Sequence, residues 1–161
     1  MKLFSIITSL LIAFILEIIP MHGMWAWARP LWLMMVVLYW VIDNPLLVNV
    51  GIAWCMGLLL DSLQGVLLGE HAFAMLVVAY LASLLRQRMW AAPFFHKTSI
   101  VLSLSWIYLL IFYCLQSFVG EPIPTVWYWI AGLSTWLVWP FVYFLLQLGN
   151  PLKRGNLVES W

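Results

Sequence analysis

Between Gly51 and Gly69 the chain is almost wholly apolar, yet it carries one carboxylate, Asp61. Small residues recur around it at every fourth position: Gly57, Asp61, Gly65 and Gly69. On a helix that spacing puts residues on nearly one face. Glycines on one face of an apolar helix let a second backbone come close. A carboxylate at mid-membrane costs roughly 2.5–3.5 kcal/mol on insertion scales, so it is expected to face a partner helix. The stretch predicts a packing surface with a polar pin in it.

The rest of the chain sets the solvent. Of 161 residues, 66% are hydrophobic and 8% charged, with a mean hydropathy of +1.03. Soluble domains are about 45–50% apolar and about 25% charged, so these side chains cannot cover a soluble surface. The expectation is an all-α, polytopic integral membrane protein forming one transmembrane domain over residues 1–161. The net charge of +1 says nothing about nucleic acid, but there is no basic patch of the kind that binding phosphates needs, and no nucleic-acid partner is expected. Cys55 and Cys114 lie in apolar segments and read as buried thiols, not a disulfide. The N-terminal charge and apolar run, without a convincing cleavage site, read as an uncleaved first span.

Six spans are expected, about 3–20, 26–42, 45–65, 70–86, 98–119 and 126–148, with a short polar tail at 149–161. Pro30 suits a first helical turn, Asp43-Asn44-Pro45 signals a turn, and Pro140 a kink. The second run is short for a full crossing. With a cytoplasmic N-terminus, Lys2, Arg86, Arg88, Lys97, Lys153 and Arg154 fall inside and only Arg29 outside. That bias places both termini in the cytoplasm. Trp25, Trp27, Trp127 and Trp129 would mark the outer interface and Trp90 the inner one.

No phosphate loop, zinc spacing, nucleophile elbow or catalytic acid pair is present, so no enzyme activity, cofactor or metal is expected. His22, His71 and His96 read as interfacial. Glu17, Asp61 and Arg29 converge on the outer leaflet in the six-span arrangement. They read either as a ligand or proton site or as an internal ion pair fixing helix packing. The expected pair is Arg29 with Asp61, Glu17 being a second acceptor. The contrary reading sends Arg29 to lipid phosphates and leaves Asp61 to a neighbour such as Ser62. A second stripe, Ser5, Ser9 and Ala13, would dock a partner helix or a neighbour in the same chain.

Arg29-Pro30-Leu31-Trp32, Leu38-Tyr39-Trp40 and Pro45 with Val48-Asn49-Val50-Gly51 form a recognisable string. It continues through Gly57, Asp61, Gly65 and Leu68-Gly69 to Ala79-Tyr80-Leu81, with Trp139-Pro140 later. Over this string the chain resembles the MreD family of bacterial rod-shape-determining inner-membrane proteins. The resemblance covers about half of the membrane region; residues 1–28 and 85–125 match only in hydropathy.

The resemblance implies a non-enzymatic part of the cell-elongation machinery. Partners would be the bitopic periplasmic scaffold MreC, the filament MreB, the polymerase RodA and its class B penicillin-binding transpeptidase. A homo-oligomer stays open. It also implies a fold similar to the six-helix substrate-binding (S) components of ECF vitamin transporters. That likeness supplies the rival function, a small-molecule-binding or transport component. Structural or partner-contact candidates are Glu17, Arg29, Pro30, Asn49, Gly57, Asp61, Gly65 and Gly69. A ligand pocket needs convergent polar groups. The last three spans offer few, chiefly Ser83, Ser103, Ser105, Gln116, Ser134 and Thr135, which favours a scaffold.

Overall fold

A computed structural model describes residues 2–19, 29–91, 93–120 and 129–148. Its described residues form six α-helices: α1 (Lys2–Ile18), α2 (Trp32–Asp43), α3 (Val50–Gln64), α4 (Glu70–Ala91), α5 (Phe94–Val119) and α6 (Ile130–Leu148). Three are long and apolar enough to cross a membrane, over Glu70–Met89, Phe95–Phe118 and Ile130–Leu148. The other three are shorter apolar helices.

Large apolar side chains lie both inside and outside. Leu38, Leu60 and Leu104 are buried, while Phe4, Phe118, Leu137 and Phe141 project outward. An apolar exterior on this scale suits lipid. Serine hydroxyls on the later helices turn back to their own backbone: Ser83 to Tyr80 O, Ser103 to Ser99 O, Ser105 to Val101 O and Ser134 to Ala131 O. Such back-bonding satisfies a hydroxyl without water.

α2 is the core of the bundle. It packs on α1, α4 and α6, and every residue from Leu33 to Val41 is buried. A helix apolar all round belongs inside. Its 12 residues span only about 18 Å, against a hydrocarbon core about 30 Å thick. The predicted helix 26–42 is therefore too long at its start: Arg29 to Leu31 are not helical, and 26–28 lie outside the described residues. Pro30 precedes the helix instead of opening its first turn.

Other boundaries shift for physical reasons. α3 begins at Val50, not at 45, because the Asn49 side chain accepts from Ile52 N at 3.1 Å and caps it. The chain before it is a turn in which Leu47 N and Val48 N both donate to Asn44 O. α4 runs five residues past the predicted 86, since Arg86 folds back over the bundle and does not mark its edge. α5 starts at Phe94, directly after the extended Pro93. α6 starts at Ile130, and Pro140 lies inside it. Both cysteines are free and exposed on the outside of the bundle, correcting the expectation of buried thiols.

Candidate functional site

α3 and α4 make the most extensive helix pair among the described residues, and Asp61 lies at their junction. Its side chain is completely buried. Oδ2 accepts from Gly69 N at 2.8 Å and Ala72 N at 3.3 Å. Oδ1 accepts from His71 N at 2.9 Å and lies 2.8 Å from His71 Nδ1. α4 begins at Glu70, so these amides belong to its N-terminus, whose first N–H groups have no partner within the helix. Gly69, just before the helix, has no side chain to cap with. Asp61 supplies that cap from the neighbouring helix, where its negative charge also meets the positive end of the helix dipole.

Gly57, one turn earlier, makes this reach feasible. A Cβ there would stand 2.4 Å from Ala72 Cα, so the two backbones touch. The four-residue stripe stops here. α3 ends at Gln64, Gly65 closes it at φ 68°, and Gly69 sits in the following turn at φ 113°. Neither has an atom within 4 Å of a would-be Cβ. Both are turn glycines chosen for left-handed backbone, not contact glycines on a helix face.

The expected Arg29–Asp61 ion pair is not formed. Every polar contact of the Asp61 side chain among the described residues goes to the start of α4, none to Ser62, whose hydroxyl donates to Leu58 O. Arg29 Nη2 instead donates to Leu16 O at 2.8 Å, closing the C-terminus of α1, where a cation is favoured. Glu17 is buried, and its Oε2 accepts from Leu33 N at 3.0 Å, in the first turn of α2. Glu17 also lies within electrostatic reach of Arg29 and His71, so the two acids and the base do share one end of the bundle. Each closes a separate helix end. Pro30 O accepts from Trp32 N at 2.9 Å, and Leu31 N donates to Thr135 Oγ1 of α6 at 3.0 Å.

Four participants were not foreseen. His71 was expected at an interface but is buried, its ring 4.4 Å from that of Phe112. His96, in contrast, is exposed, and His22 lies outside the described residues. Glu70 is buried and accepts from Gln116 Nε2 at 3.2 Å, tying the start of α4 to α5. Its position right after Gly69 is the signal that could have found it, an acid at a first helical residue. Arg86 Nε donates to Ile42 O at 3.0 Å and closes the C-terminus of α2. Thr135 has no signal in sequence. The α1 stripe docks within the chain: Ser9 Oγ accepts from Trp40 Nε1 at 2.8 Å, and Ala13 is buried. Trp129 stacks near Trp106, at 5.7 Å; Trp25, Trp27 and Trp127 lie outside the described residues.

No group of three or more His, Cys, Asp or Glu suited to a metal occurs among the described residues. The buried ionisable groups at this end instead act on helix ends and on one another. Such an arrangement fixes how short helices meet; it is architecture held by charge.

Comparison with known proteins gives the family. No solved structure matches the chain. The rod shape-determining protein MreD of Haemophilus influenzae (strain Rd) is 33% identical over 150 residues, which cover 89% of each chain. The profile of the family described as rod shape-determining protein MreD matches residues 1–148, and the chain belongs to that family.

Proposed function

We propose that the chain is a non-enzymatic, multi-pass component of the bacterial inner membrane that serves cell elongation through MreC. MreB, RodA and the class B penicillin-binding transpeptidase would share the complex. The observation that carries this reading is the use of Asp61: a buried carboxylate whose acceptors go to the start of α4 and to His71 supports a rigid scaffold. Family membership supplies the link to rod shape.

In this reading residues 1–161 form one membrane domain of six helices with a short tail at 149–161, arranged like those of vitamin-transporter S components, and both termini are cytoplasmic. The basic residues Arg86, Arg88 and Lys97 support that orientation. Reporter fusions at Trp161 and near Glu121 should report opposite sides; a periplasmic C-terminus would overturn it.

The functional test is complementation in a rod-shaped bacterium depleted of its own family member. Wild-type chain should restore rods and retain MreC through purification in mild detergent. Round cells despite normal membrane levels, with no MreC recovered, would reject the scaffold. A stoichiometric metabolite in the same preparation would favour the transport rival.

A further inference from the structure

α3 is the shortest described helix with an outward apolar face. Its 15 residues extend about 22 Å, against a hydrocarbon core about 30 Å thick. Tilt only shortens the distance a helix spans. α2 is shorter still, but it is enclosed by α1, α4 and α6, so lipid does not set its length. α3 is not enclosed: Trp54, Cys55, Leu59 and Leu63 are exposed along it.

The turns at its two ends cannot lengthen the span. Helix ends and turns carry backbone groups without helical partners, and such groups are not found against hydrocarbon. The turn before α3 begins at Asn44 and ends at Asn49, which is exposed and caps Ile52 N. At the other end Ser62 and Gln64 are exposed, and the chain turns through left-handed Gly65 and Gly69. Both turns therefore belong at the polar boundary of the membrane. Yet both also present leucine: Leu46 is 96% exposed, and Leu67 and Leu68 are 60% and 67% exposed. A leucine bared at that boundary is favoured only where hydrocarbon reaches it.

α4 gives a second measure of the same side. Ala72 is level with Gly57, whose would-be Cβ stands 2.4 Å from its Cα, and Arg86 closes the far end of α2 on Ile42 O. The rise from Ala72 to Arg86 is about 21 Å. Beyond α4 the measure changes. α5 has 26 residues, about 39 Å, with Phe95 and Phe118 exposed near its two ends. With some tilt it suits a bilayer of ordinary thickness.

We propose that α3 faces a locally thinned bilayer, its hydrocarbon about 8 Å thinner than beside α5, so that the protein carries a step in membrane thickness around its circumference. The partner is lipid, compressed between the two leucine-bearing turns of α3. The inference rests on the membrane location and not on the role in cell shape.

The test uses the full chain, with Cys55→Ala and Cys114→Ala, reconstituted in dioleoyl phosphatidylcholine. Single nitroxides are placed through Leu46→Cys, Leu59→Cys and Leu67→Cys on the α3 side and Phe95→Cys and Phe118→Cys on α5. Relaxation by oxygen against a water-soluble nickel chelate gives the depth of each. The Leu59 site should lie deep in hydrocarbon, and the other four at headgroup depth, so that two pairs of sites with unequal separation both meet the boundary. A Leu46 or Leu67 site within hydrocarbon would overturn the proposal, since the membrane would then keep its thickness and submerge a turn. So would α5 sites standing in water, which would mean no step, or a Leu59 site closed to oxygen, which would mean that protein and not lipid covers α3. The unlabelled wild type gives an independent reading: its thermal midpoint should be about 5 °C lower in dierucoyl than in dioleoyl phosphatidylcholine, the longer chains being harder to compress. A midpoint unchanged or raised by the longer chains would also overturn it.

Discussion

The end of the bundle holding Glu17, Arg29 and Asp61 and the end holding Asp43 and Lys97 use charge in different ways. At the first, each acid reaches from the end of its own helix to the N-terminus of another, and the arginine reaches the C-terminus of α1. At the second, Arg86 follows the same rule at the end of α2, while Asp43 and Lys97 line a cavity. The contrast separates charge that closes the end of a neighbouring helix from charge that lines a cavity. A buried ionic group costs desolvation, so its removal is felt when the partners it leaves behind stay buried.

The sharpest way to break this contrast is Asp61→Ala. It strands three amides and the His71 ring in a fully buried place. The expected loss is about 3–5 kcal/mol, read as a lower thermal midpoint in detergent by tryptophan fluorescence. A midpoint close to wild type would show that α4 does not depend on its borrowed cap. Gly57→Ala should follow, at about 2–3 kcal/mol, because its methyl meets Ala72 backbone that cannot move aside. Since Gly57 sets the distance over which Asp61 reaches, the Gly57→Ala and Asp61→Ala losses should be clearly less than additive. Full additivity would separate the contact from the cap.

Glu17→Ala should cost about 1–2 kcal/mol, the range for a lost helix cap. In the same assay Arg29→Ala and Asp61→Ala should add to within about 0.5 kcal/mol, since they share no partner. A coupling well above that would restore the ion pair between them. Gly65→Ala should cost about 1 kcal/mol through its left-handed backbone alone, having space for the methyl. Smallest of all is Lys97→Gln, expected within about 0.5 kcal/mol of wild type. A large loss there would move Lys97 to the structural side of the comparison.

How far these roles could be read in advance depended on which partner was a side chain. The spacing of Gly57 and Asp61 correctly indicated a face against another helix, since both lie on one helix. Gly65 and Gly69 have the same spacing but not the same role. A period of four cannot distinguish helical glycine from left-handed glycine, and Val66, Leu67 and Leu68 kept the run apolar through the break. Arg29 was matched with a carboxylate because side-chain reasoning offers charges as partners. Its actual acceptor, Leu16 O, is a backbone group freed by the end of α1 and is invisible until that end is known. Charges were also taken as membrane edges, which cut α4 short at Arg86 and delayed α5 past Lys97. The central place of α2 was legible only as shortness: an apolar run of that length looks alike whether it faces lipid or three neighbouring helices.

The closure of α2 has a consequence for biogenesis. Glu17, which meets its first turn, emerges from the ribosome before the helix does, but Arg86 and Thr135, which finish its two ends, emerge long after it. The second helix to be made is thus among the last to be completed. A nascent chain halted before Thr135 holds its innermost helix with the Leu31 amide unclosed. The centre of the molecule is thus completed only when α6 has been made.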